Sequence, residues 1–123
     1  MDELKTHPVP LRRDRLAEVP EGIGRPKYAA SHLTPGIVHV GTGNFHRAHQ
    51  AWYLHRLMQE GEARDWAIVG AGVRPGDAAM REKLLAQDCL TTLIELGPEG
   101  TSAEICGSMI DFAPVEADNA ALV

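Results

Sequence analysis

An α/β fold, built on an incomplete doubly wound sheet of which only the N-terminal portion is present, is predicted from three observations. The short apolar run Ile37-Val38-His39-Val40 ends in Gly41-Thr42-Gly43 and leads into a helical pattern. A second apolar run, Trp66 to Val73, follows that helix, so strand, helix and strand fit a right-handed βαβ unit. The strand count then stops at four, where a complete doubly wound sheet has about six.

Five of the eight prolines (Pro8, Pro10, Pro20, Pro26, Pro35) fall within residues 1–35, together with Gly22 and Gly24. No long regular element fits there, and the segment reads as an extended arm, with a short helical turn around Asp14 to Val19 as its one candidate element. Residues 36–123 read as a partial dinucleotide-binding domain. Ile37 to Val40, bounded by Pro35-Gly36 and Gly41, suits a fully buried parallel strand. From Phe45 to Gln59 the apolar residues Ala51, Leu54 and Met58 recur at helical steps, with Trp52 and Tyr53 as packing residues and Gly61 as the stop. In the second strand, Gly70 and Gly72 mark close approach by another backbone or a ligand.

Asp77 to Gln87 reads as a helix with Met80, Leu84 and Leu85 inward. Leu90 to Leu96 and Ala103 to Ile110 read as strands that the turn Gly97-Pro98-Glu99-Gly100 joins into a hairpin. Pro114, Glu116 and Asp118 open a further helix, which Val123 cuts short; the chain is therefore expected to be a fragment.

The 123 residues carry 44% apolar and 24% charged side chains, an ordinary globular balance. A net charge of −5 and no long Lys/Arg run argue against nucleic-acid binding. Arg12, Arg13 and Arg15 form the only basic cluster and read as a solvated segment. No apolar stretch approaches the roughly 20 residues of a membrane span, and the acidic N-terminus is no secretory signal, so a cytoplasmic location is expected. Cys89 and Cys106 lack metal or redox spacing and read as buried reduced thiols.

A strand that ends in Gly-x-Gly and turns into a helix offers backbone amides and the positive end of a helix dipole to a phosphate. Gly41 permits the tight turn, Gly43 the close approach of a diphosphate, and Asn44 and Phe45 offer their N–H groups. Two glycines after a strand also occur in ordinary tight turns, and the third position of the dinucleotide fingerprint falls on His46 instead of Gly or Ala. Asp77, 36 positions after Gly41, stands where an acceptor for the adenosine ribose hydroxyls is needed, and it also suits a helix cap. A lone Asp disfavours a 2′-phosphate and so favours NAD over NADP, with Arg74 close by as a counterweight. His46, His49 and His55 share no convincing metal spacing with a Cys or carboxylate. They read as makers of structural hydrogen bonds, and no metal is expected.

The string Gly41-Thr42-Gly43-Asn44-Phe45-His46-Arg47-Ala48-His49-Gln50, with Ser31 to His39 before it and Val69-Gly70-Ala71-Gly72-Val73 and Ala86-Gln87-Asp88 after it, resembles the N-terminal Rossmann-like domain of the long-chain polyol (mannitol) dehydrogenase family. The pattern is nearest to the mannitol 2-dehydrogenase branch; fructuronate reductase shares much of it. The resemblance implies an NAD-dependent oxidoreductase that moves a hydride between a polyol and a ketose, mannitol and fructose for example. It also implies a phosphate or domain-contact role for Arg47, for which a plain surface arginine is the alternative. The family's catalytic lysine lies in a Lys-x-x-x-x-Asn-x-x-His motif of a C-terminal domain. Here Lys5, Lys27 and Lys83 are followed five positions later by Pro10, His32 and Asp88, so no catalytic residue is assigned. A sugar-alcohol or ketose substrate is thus expected only with a further domain. The reading from another class is a non-catalytic nucleotide-binding or interaction module.

Overall fold

The computed structural model describes residues 10–122. The chain passes three times between two three-stranded sheets, and the tightest of these crossings runs from Cys106 to Met109. The first is parallel, in the order β2 (Pro35–Val40), β3 (Ala67–Ala71), β6 (Met109–Phe112). The second is mixed: β1 (Ile23–Gly24) runs parallel to β5 (Gly100–Cys106), which pairs antiparallel with β4 (Thr91–Gly97). The helices are α1 (Asn44–Ala48), α2 (Gln50–Gln59) and α3 (Asp77–Ala86).

β2, the two helices and β3 form the expected βαβ unit, with Val38 opposite Val69 and Val40 opposite Ala71. β2 is not a fully buried strand, however. It lies at the sheet edge, and Val38 and Val40 are 62% and 54% exposed, while Ile37 on the opposite face packs on the core. β3 is the central strand, and Ala67, Ile68 and Ala71 are all buried.

The single helix expected over Phe45 to Gln59 is two, broken at His49 (φ −121°, ψ −85°). The cause is the His49 side chain. Its ring Nδ1 donates to the Phe45 carbonyl at 2.7 Å, taking the acceptor that a continuous helix would offer to the His49 amide, and that amide pairs with His46 O instead. Ala51 and Met58 are buried as the periodicity required, but Tyr53 is 61% exposed and is no packing residue. α3 follows its expected pattern, with Leu84 buried and Met80 and Leu85 packed against the core.

The hairpin forms between Leu96 and Thr101, with Gly97 opposite Gly100. The strand expected over Ala103 to Ile110 divides at Gly107-Ser108: its first part completes the hairpin, and its second part enters the parallel sheet beside β3. Ser108, fully buried, donates its hydroxyl to Ala51 O at 2.6 Å and so fixes the crossing against α2. The helix expected after Pro114 does not form within the described residues, which hold a 3-10 turn over Ala120–Leu122.

The core gathers Ala51, Ile68, Leu84, Cys89, Cys106, Met109 and Phe112, and a second cluster holds Tyr28, Leu33, Met58 and Ala67. Residues before Pro35 thus supply core side chains. Arg13 is not solvated as its cluster suggested: its guanidinium donates to Gly107 O and Met109 O, and its amide donates to Asp88. Burial depresses its pKa, with the nearby Tyr28 opposing the shift. Cys89 and Cys106 are free and buried, and burial pushes the Cys89 thiol up to about 11.

Candidate functional site

The residues singled out from the sequence lie after the C-terminal ends of two adjacent parallel strands. Gly41, Gly43, Asn44, Phe45 and Arg47 occupy the turn from β2 into α1, and Asp77 opens α3 after β3. The Gly41 amide donates to Ala71 O at 2.9 Å, which ties the glycine turn to the end of β3. In a parallel α/β sheet, ligands settle in the crevice beyond these strand ends.

Gly41 takes φ +96°, which an L side chain rarely adopts. A Cβ added at Gly41 or Gly43 would meet no atom within 4 Å, so the space over the turn is open. Asn44 and Phe45 head the short helix, where amides lack a carbonyl one turn back. Phe45 is 72% exposed and stacks on His49, their centroids 4.1 Å apart. Arg47 folds back along the turn and donates to Asn44 Oδ1 at 2.7 Å; its partner is an amide oxygen, not the carboxylate of an ordinary surface pair.

Asp77 does not cap its helix through the helical amides. Its carboxylate turns back and accepts the Arg74 N–H at 3.0 Å. The carboxylate crosses directly over Gly72, where an added Cβ would come within 2.3 Å of Asp77 Cβ. The close approach expected at Gly72 is therefore made by a side chain, and the one at Gly70 by Thr42 and Phe112. Beside the Asp77 turn, Val73, Arg74, Pro75, Ala78, Val115, Glu116 and Ala117 line a mostly apolar cleft of about 360 Å³.

His46, read as a maker of structural hydrogen bonds, has no hydrogen-bond partner at either ring nitrogen, and the burial of Thr42 escaped the sequence reading. His46, at the anomalous fingerprint position, is 4% exposed and stacks on His39 at 3.8 Å. Burial, and then the neighbouring His39, hold its pKa below the usual value. Thr42 is buried as well. The alternation of β2 points to neither, because both contacts depend on how α1 leaves the turn. Among the described residues no group of three or more His, Cys, Asp or Glu is placed to hold a metal, and no helix is long and apolar enough to cross a membrane.

Comparison with known proteins gives the same arrangement a context. The mannitol 2-dehydrogenase of Cereibacter sphaeroides is 63% identical over 101 residues, which are 82% of this chain and 21% of that protein. The polyol:NADP oxidoreductase of Gluconobacter oxydans is 38% identical, covering 92% of this chain and 24% of its own length. Among solved structures, the Pseudomonas fluorescens mannitol 2-dehydrogenase ternary complex with NAD and D-mannitol superposes with a TM-score of 0.79 at 41% identity, over 83% of this chain and 21% of that one. The chain thus spans about a fifth of the length of these relatives. Residues 35–123, which run from the edge strand through the glycine turn and the Asp77 loop, match the mannitol dehydrogenase Rossmann domain, and the chain belongs to that family.

Proposed function

We propose that this chain is the cofactor-binding part of an NAD-dependent oxidoreductase that interconverts a polyol and its ketose, mannitol and fructose in the first instance. The observation that carries the reading is the open glycine turn at the end of β2, set within a match to the mannitol dehydrogenase Rossmann domain over residues 35–123. Support for the cofactor and substrate comes from the 41% identical relative, whose complex contains NAD and D-mannitol.

In this reading the amides of Gly43, Asn44 and Phe45 receive the diphosphate, and Arg47, held over the turn by Asn44, adds positive charge beside it. The adenosine lies in the cleft beside Arg74 and Val115, with Asp77 facing its ribose. When bound, NAD accepts the hydride. The proton of the alcohol goes to a group outside these residues, since no lysine here heads the family's catalytic motif. Residues 36–123 then form the nucleotide-binding portion, preceded by the arm of residues 1–35, whose described part, from residue 10 on, packs on it.

Titration calorimetry of the protein with NAD, mannitol, or both tests the proposal. NAD is expected to bind with a sub-millimolar Kd that a Gly43→Val substitution weakens at least about tenfold, because the side chain fills the open space over the turn. An unchanged Kd in a folded Gly43→Val variant would remove the glycine turn from the site.

A further inference from the structure

A second polar cluster is buried at the far end of the parallel sheet from the glycine turn, next to Gly107 where the chain enters β6. Tyr28 comes from the N-terminal segment, His55 from α2 and Glu104 from β5. The Tyr28 hydroxyl lies 2.6 Å from His55 Nδ1, and His55 Nε2 lies 2.6 Å from Glu104 Oε2. His55 is fully buried, Tyr28 is 5% exposed, and the Glu104 side chain is a quarter exposed. None of the three has a part in the chemistry above.

The neighbours settle where the protons are. The Gly107 amide, which can only donate, also points at His55 Nδ1, at 3.4 Å. Nδ1 is therefore the acceptor: the Tyr28 O–H donates to it, and Nε2–H donates to the Glu104 carboxylate. This arrangement holds only while the imidazole is neutral. A second proton on Nδ1 would face two donors, and Tyr28 would have to surrender its hydrogen bond or reverse it.

The surroundings give such a change a mechanical outlet. Charged and titratable groups face the pair from each packed element: Arg56 of its own helix and Glu104 of β5 act on His55, and Cys106 and Glu104 of β5, with Arg13 of the N-terminal segment, act on its partner Tyr28. Gln59 of α2 donates to both Arg25 O and Glu104, so it joins the same segment to the same strand. Pro26 packs against Gly107, where an added Cβ would lie 2.9 Å from Pro26 Cγ. The segment from Arg25 to Tyr28 is thus fastened to α2 and to the crossing at Gly107 by Gln59, by Pro26 and by the His55 imidazole, and of these only the imidazole can take up a proton.

We infer that Tyr28, His55 and Glu104 form a proton-operated latch: uptake of a proton at His55 Nδ1 releases the segment carrying Tyr28 from α2 and Gly107, while Glu104 keeps hold of the ring. The proton reaches Nδ1 from solvent as the Tyr28 side opens, Nε2–H stays on Glu104, and the released tyrosine hydroxyl is hydrated. Acid conditions loosen the crossing at Gly107, and neutral conditions close it.

Hydrogen exchange of the intact protein, followed at the hydrogen-bonded amides of Lys27 and Gly107 as protection factors, tests this. Protection should fall about tenfold between about pH 7.5 and pH 5.5. Tyr28→Phe removes a donor that favours the neutral ring, so the midpoint should rise by about 0.5–1 pH unit. Glu104→Gln removes the charge that favours the imidazolium, so the midpoint should drop by a similar amount. Variants that merely weaken a structural network would both move it upward. Protection independent of pH, or shifts of the same sign in the two variants, overturns the latch. So does nitrogen NMR that finds the neutral His55 ring protonated on Nδ1.

Discussion

Gly72 and Asp77 illustrate how one missing methyl group shapes the loop that follows β3. Gly72→Ala would push the Asp77 carboxylate off the Arg74 amide, since the new Cβ has no room. A loss of about 1–3 kcal/mol in urea unfolding is expected. Asp77→Asn keeps the shape and the acceptor but removes the charge, so under the proposed function the Kd ratio of NADP to NAD should fall about tenfold, measured by calorimetry with each nucleotide. The positions of the glycine turn and of Asp77 were legible in the sequence because turn chemistry is local and has few solutions. The partners of His55 were not, because Tyr28 and Glu104 stand 27 and 49 positions away and no local pattern encodes such a meeting. Arg13 is similar: its carbonyl acceptors lie 94 and 96 positions downstream, and a short basic cluster reads as solvated until they are known.

The strands and helices were found by their hydrophobic period, and the departures from expectation occur where a tertiary contact overrides that period. A continuous apolar run at Ile37 to Val40 implied burial on both faces, but in β2 at the sheet edge only the Ile37 side meets the core. The ring of His49 broke a helix whose apolar spacing is uninterrupted. The crossing at Gly107-Ser108 was hidden within one strand-like stretch, because the residues on both sides of it are β-formers that pair in different sheets. Ser108 is what fixes that crossing, so Ser108→Ala should cost about 0.5–1.5 kcal/mol in chemical denaturation. Its effect should exceed that of Ser102→Ala on the exposed stretch of β5.

For the whole molecule, buried titratable groups define a window of maximal stability. Burial lowers the pKa of His46 and of His55, so the native state binds fewer protons than the unfolded chain once pH falls through the ordinary value of 6.5. Stability contributed by the neutral rings is present above that pH and lost below it, by up to about 1.4 kcal/mol per pH unit for each ring. On the alkaline side, burial raises the pKa values of Cys89 and Tyr28, so the native state holds protons that the unfolded chain releases above their ordinary values of 9.0 and 10.0. Unfolding free energy plotted against pH should therefore be flat from about 6.5 to 9 and decline on both sides, with His55→Gln reducing the acid slope. The docking of the N-terminal segment also bears on any attempt to transplant this module. A graft cut at Pro35, where the family match begins, would leave behind the guanidinium that satisfies the Gly107 and Met109 carbonyls and the phenol that fills the gap beside Met58. The recipient scaffold would inherit two thirsty oxygens and a hole, so a portable version has to start upstream of Arg12.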